Sequence, residues 1–119
     1  MSLLDTAQYA LESAMSGSLE RQTLLSNDLA NADTAGFKPE DVNFQATLEQ
    51  AIASGESPSS VTFTPYTENQ STQSNGNGVD AEQTDAAIAE NGLLYDDLTQ
   101  VAAAREGILE SAMNVTGSA

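Results

Sequence analysis

At 119 residues the chain is one domain's worth, and 18 acidic side chains against three basic ones (Arg21, Lys38 and Arg105) leave a formal charge of −15. That balance excludes nucleic acid and an anionic membrane surface as partners, because both are gripped by Lys and Arg that neutralise phosphate. Cysteine and histidine are absent, which removes disulfides, thiolate metal sites, a Cys nucleophile and the commonest general base.

The first residues, Met1-Ser-Leu-Leu-Asp-Thr-Ala-Gln, lack a basic stretch followed by an apolar core, so they do not read as a cleaved leader. No apolar run approaches the roughly 18–20 residues that span a bilayer. Ser2 and Asp5 instead have capping-box spacing and open a helix. Leu4, Ala7, Leu11 and Ala14 follow at three- and four-residue steps, and Met15, Leu25 and Leu29 extend the same apolar side. The pattern predicts a helix to about Ala32, roughly 45 Å long. Gly17, flanked by serines, is its weak point, because glycine costs about 1 kcal/mol relative to alanine there.

Beyond it small polar residues crowd together. Gly36 offers a left-handed stop and Pro39 forbids helical continuation, so the stretch from Leu25 to Pro39 reads as an elbow. Residues 40–52 carry sparse apolar anchors, and residues 54–78 turn to Ser, Thr, Asn, Gln, Gly and Pro. Such a composition predicts a flexible middle that buries too little apolar surface to offset its ordering entropy. Within it, Val61 to Tyr66 alternates apolar residues with threonines and predicts a short strand, which Pro65 confines to an edge. Asn75-Gly-Asn-Gly78 predicts a flexible turn or hinge.

Asp80 as N-cap, with Gln83 three residues on, opens a second helix from about Ala81 to Val115. Its seam steps by three and four through Ala87, Asn91, Leu94, Leu98, Val101, Arg105, Ile108, Ala112 and Val115, with Asn91 and Arg105 as polar interruptions. The fold class is therefore mainly α. It has long N- and C-terminal helices forming a coiled-coil-like hairpin, a low-complexity middle holding at most a short β segment, and partial disorder as a monomer. Expected segments are an axial helix over 1–35, an elbow and flexible middle over 36–79, and a second axial helix over 80–119. With only three Phe, three Tyr and no Trp, the two narrow stripes close weakly on each other and are completed by helices of other copies.

Motifs for chemistry are thin. Adjacent carboxylates at Asp96-Asp97 and Glu40-Asp41 diverge by about 100° on a helix and read as solvated acidic faces rather than an acid–base pair. Asn75 to Asp80 lacks the ligand spacing of a calcium loop. The sequons Asn69-Gln-Ser71 and Asn114-Val-Thr116 are chance matches in a chain rich in Asn, Ser and Thr. No phosphate loop and no serine triad can be assembled, so no enzyme activity, cofactor or metal is expected.

Asn31-Ala-Asp-Thr-Ala-Gly-Phe-Lys38, preceded by Leu25-Ser-Asn-Asp-Leu-Ala30, resembles the N-terminal motif of flagellar rod and hook proteins. The continuation Pro39-Glu-Asp-Val-Asn-Phe-Gln-Ala-Thr-Leu48 is most similar to FlgB-type proximal rod proteins. A second block, Gly76-Asn-Gly-Val-Asp80 through Ala89-Glu-Asn-Gly-Leu-Leu-Tyr95, resembles the same family. Ala35 stands where proline is common in that family, Gly92 where a longer side chain is usual, and the acidity is atypical. The resemblance implies a structural subunit of the flagellar basal body that packs into the periplasm-spanning rod and transmits torque. It also implies export through the flagellar type III apparatus without a cleaved leader. Implied partners are FlgC-, FlgF- and FlgG-like rod subunits, FliE, the MS-ring protein FliF and further copies of the chain.

On that reading the assembly seam comprises Leu4, Ala7, Leu11, Ala14, Leu25 and Leu29 on the first helix, and Leu94, Leu98, Val101 and Ile108 on the second. Asn31, Ala32, Asp33, Thr34, Gly36 and Phe37 form the elbow. The rival from another class is a small acidic cytoplasmic secretion chaperone, which would show a compact folded dimer.

Overall fold

The computed structural model describes residues 3–68 and 72–117, with side chains described from Asp5 to Asn114 within those ranges. The Ser2 cap, the Asn69–Ser71 sequon and the last two residues lie outside it, as do the side chains of Leu4 and Val115. Two long helices, α1 (Leu3–Ala30) and α3 (Ala81–Gly117), pack antiparallel along a molecule of 70 × 27 × 13 Å. Asp80 caps α3 by accepting the Gln83 amide at 3.1 Å. The chain is mainly helical, as the periodicity requires.

The middle segment is more ordered than its composition predicts. A short strand β1 (Glu40–Asp41) leads into helix α2 (Phe44–Ala53), then a 3-10 turn (Pro58–Ser60) and strand β2 (Tyr66–Thr67). Asn43 caps α2 by accepting the Ala46 amide at 3.1 Å. β1 and β2 pair antiparallel, Glu40 opposite Thr67 and Asp41 opposite Tyr66. The strand thus falls at the end of the predicted segment, after Pro65, and Phe63 is used for packing instead. Val42, Phe44, Leu48 and Phe63 form a buried cluster covered by Ala14, Leu24, Val61 and Leu94. The rings of Phe44 and Phe63 meet edge to face, 6.3 Å apart at 87°, a favoured aromatic geometry. The expectation of a flexible middle that buries too little apolar surface is corrected: the sparse anchors Val42, Phe44, Leu48 and Phe63 suffice because they pack together against Ala14 and Leu24 of α1.

Phe44 meets α1 at Gly17. A Cβ built there would stand 2.5 Å from the Phe44 Cβ and 2.8 Å from its Cγ. The residue that weakens the helix locally is therefore the one that lets α2 approach it.

Below the elbow, Arg21 on α1 grips Asp41 on β1 through Nε and Nη2, at 2.9 and 3.3 Å. Asp41 also accepts the Val42 amide at 2.7 Å. Asp28, buried in the last turn of α1, accepts the Glu40 amide at 3.0 Å. Burial pushes the Asp28 carboxyl up to about 6, the Glu40 amide opposes this, and the neighbouring Asp41 and Glu40 charges add to it.

Two outcomes test this packing. Gly17→Ala lowers the urea midpoint by an amount equivalent to about 1–3 kcal/mol of overpacking. Gly107→Ala, whose Cβ meets nothing within 4 Å, raises it by about 0.5–1 kcal/mol. For Asp28 the folded pKa lies above the ordinary carboxylate value, so the native state holds the extra proton and stability falls as pH rises through about 6. Asp28→Asn, which keeps an acceptor for Glu40, therefore melts above the parent at pH 7.5, and thermal scans show the gap shrinking as pH drops towards 4.5.

Candidate assembly surface

The elbow is built from the end of α1 outward. After Ala30 the chain closes successive turns: Asn31 donates to the Asn27 and Asp28 carbonyls, Thr34 to Asn31, and Phe37 to Thr34. The Asn31 side chain donates to the Asn27 carbonyl at 2.8 Å and accepts the Thr34 hydroxyl at 3.1 Å. Gly36 adopts φ +72°, the left-handed conformation that glycine enters without strain. Asp33 is exposed at the outside of the turn, whereas Ala32 and Phe37 are half-buried.

Residues 75–79, expected to be a hinge, instead clasp this elbow. Asn77 is fully buried. Its carboxamide donates to the carbonyls of Asn31, at 2.8 Å, and Thr34, and accepts the Val79 amide at 2.8 Å. Main-chain bonds lie alongside, from Gly36 to the Asn75 carbonyl at 3.1 Å and from Gly78 to the Phe37 carbonyl at 2.9 Å. Both amide hydrogens of Asn77 and its side-chain oxygen are thereby engaged. The two sequence blocks that carry the resemblance, 46 positions apart at Asn31 and Asn77, are one physical object.

A second polar contact fixes α1 against α3. Asn91 donates to the Ser18 carbonyl at 2.8 Å and to the Gln22 side-chain oxygen at 3.0 Å, and accepts the Ser18 hydroxyl at 3.2 Å. Ser18 and Asn91 are both essentially inaccessible to water. Of the seam residues, Leu25 is buried, while Ala7, Leu11 and Leu98 are half-buried. Ala14 and Leu94 turn towards the Phe44 cluster. Leu29, Val101 and Ile108 stay exposed at 36 %, 49 % and 69 %. Ala102 is buried in their place. A seven-residue repeat drifts by about 20° per heptad on a straight helix, so a register set at Ala87 has left the contact by Val101. Leu93, Val101, Ile108 and Met113 of α3 and Tyr9, Leu19 and Leu29 of α1 present large apolar groups to solvent.

A groove of about 480 Å³ lies between α1 and residues 59–63, lined by Ser16, Glu12, Glu20, Tyr9 and Phe63. Burial beside Asp41 and Glu68 raises the Tyr66 hydroxyl above its ordinary value, so it remains protonated. Among the described residues no cluster of three metal-capable side chains occurs, and no helix is long and apolar enough to cross a membrane.

Sequence reasoning treated Gly17, Asn77 and Asn91 as weak points or interruptions and passed over Asp28 and Arg21; its reading of Glu40-Asp41 as a solvated acidic face is corrected at Asp41, which lies in a strand, is buried and is ion-paired with Arg21. A signal existed for Asn91: one polar residue at a seam position commonly specifies register.

No family model matches the chain, but relatives do. It is 30 % identical to the flagellar basal body rod protein FlgB of Bacillus subtilis over 84 % of this chain and 87 % of that protein. It is 26 % identical to the FlgB of Escherichia coli over 97 % of this chain and 96 % of that protein. With the FlgB of Aeromonas hydrophila it shares 50 % identity over a segment covering 37 % of this chain and 30 % of that protein. The elbow, its clasp and the paired terminal helices thus belong to a chain that is a member of the FlgB family of flagellar basal body rod proteins.

Proposed function

We propose that the chain is a structural subunit of the proximal rod, joining its neighbours through the helix faces that its own fold leaves open. The observation that carries this reading is the row of exposed apolar groups on α3, Val101 and Ile108 above all, beside a helix pair already locked internally by Asn91. Monomers rarely leave such a row without a partner. Copies of the same chain, FlgC-, FlgF- and FlgG-like subunits, FliE and the MS-ring protein FliF are the partners that family membership brings forward, and torque passes through these contacts. The seam proposed for contact with neighbours is narrower than periodicity alone implies: Leu29, Val101 and Ile108 are free for it, while Leu25 is committed within the subunit.

The elbow sets the angle at which the middle segment leaves the axial helices. Export through the flagellar type III apparatus as an unfolded chain fits a fold whose two terminal segments close on each other late. The relatives are named as rod proteins, which favours this reading over a secretion chaperone, and no step of it requires catalysis.

Val101→Asp combined with Ile108→Asp should abolish swimming in soft agar while the purified chain keeps the parent's circular dichroism and stays monomeric by light scattering. Full swimming would overturn the surface assignment. Gly36→Val meets no atom within 4 Å of its Cβ, so it acts only by resisting positive φ. Rod assembly should fail while the subunit is still secreted, and normal motility would remove the elbow from the mechanism.

A further inference from the structure

Two of the polar contacts that hold the terminal segments together rest on an asparagine carboxamide, and both asparagines precede glycine: Asn77-Gly78 and Asn91-Gly92. Asparagine before glycine is where a chain most readily loses its amide, because glycine has no side chain to shield its backbone nitrogen. That nitrogen, giving up its proton, attacks the asparagine Cγ. The Cγ–Nδ2 bond breaks, ammonia leaves and a cyclic imide remains. Water then opens either imide carbonyl, giving aspartate or isoaspartate. No oxidant or reductant is needed.

We propose that Asn77 and Asn91 are modification sites gated by folding, preserved as amides in the folded subunit and converted to acids in a chain that stays unfolded. In the folded protein the Gly78 nitrogen is held by the Phe37 carbonyl at 2.9 Å, and Gly92 lies well inside α3, within its hydrogen-bond ladder. Each attacking nitrogen is thus engaged, and each carboxamide is pinned by three bonds and shut away from water.

Conversion removes the two donated bonds of each contact, since a carboxylate donates nothing. At position 77 it would face the Asn31 and Thr34 carbonyls, and at 91 the Ser18 carbonyl and the Gln22 oxygen. A buried charge opposite unpaired acceptors is strongly unfavourable, and an isoaspartate adds a main-chain atom within the clasp. Competence to fold is therefore lost irreversibly with time spent unfolded.

The test incubates the full chain at pH 8, native and in urea, and follows each site by peptide mass mapping. Conversion at 77 and 91 should be at least about tenfold slower in the native sample, where attack requires local opening. After urea removal, the fraction regaining native circular dichroism should equal the fraction retaining both amides. Gly92→Ala, whose Cβ meets nothing within 4 Å, should fold normally and slow conversion at 91 in urea without slowing it at 77. Equal rates in the native and urea samples would overturn the proposal. So would recovery of the parent's melting temperature by Asn77→Asp or Asn91→Asp.

Discussion

The fold depends on one carboxamide bridging two helices. Asn91 ties α3 to Ser18 and Gln22 of α1 in a site closed to water. Helices with so few large apolar residues could slide past each other with little change in buried area. A buried polar group cannot slide, because every other register leaves its donors unpaired at about 1–3 kcal/mol each. The cost of carrying it in the seam is offset by the single alignment it enforces.

From that alignment the remaining arrangement follows. With Ser18 set against Asn91, Gly17 beside it faces α2 and admits Phe44. Arg21, one turn on, reaches Asp41, and the end of α1 arrives where Asn77 can bind the turn that follows it. Two asparagines, one glycine and one ion pair thus do what a larger core does in a more apolar chain. Within a chain of charge −15, committing one of three cations to a buried carboxylate marks the contact of α1 with β1 as a position where geometry outweighs self-repulsion.

Much of the architecture was legible in the sequence. Both terminal helices follow from apolar spacing and from the Asp80 cap, and Gly36 and Pro39 announced the elbow. The ordered middle was not legible, because composition measures how much apolar surface a segment has and not whether its few anchors converge. Val42, Phe44, Leu48 and Phe63 are sparse in sequence and adjacent in space. The solvent-facing position of Val101 and Ile108 escaped for another reason: strict heptads assume a supercoil, and α3 lets the stripe precess out of contact. The roles of Asn77 and Asn91 were hidden because a polar residue in a turn or seam looks like an interruption until its partners are known.

The separation of the interlocked segments also orders events in time. The cluster around Phe44 and Phe63 draws mainly on residues 14–63 and can close early. The Asn91 contact spans 73 positions, so it carries most of the loop-closure entropy and forms late. A chain emerging N-terminus first from a ribosome or a narrow conduit would hold its first helix without its α3 partner until residue 91 is free. The register of the helix pair is then set in a single closing step, with the whole intervening chain already outside.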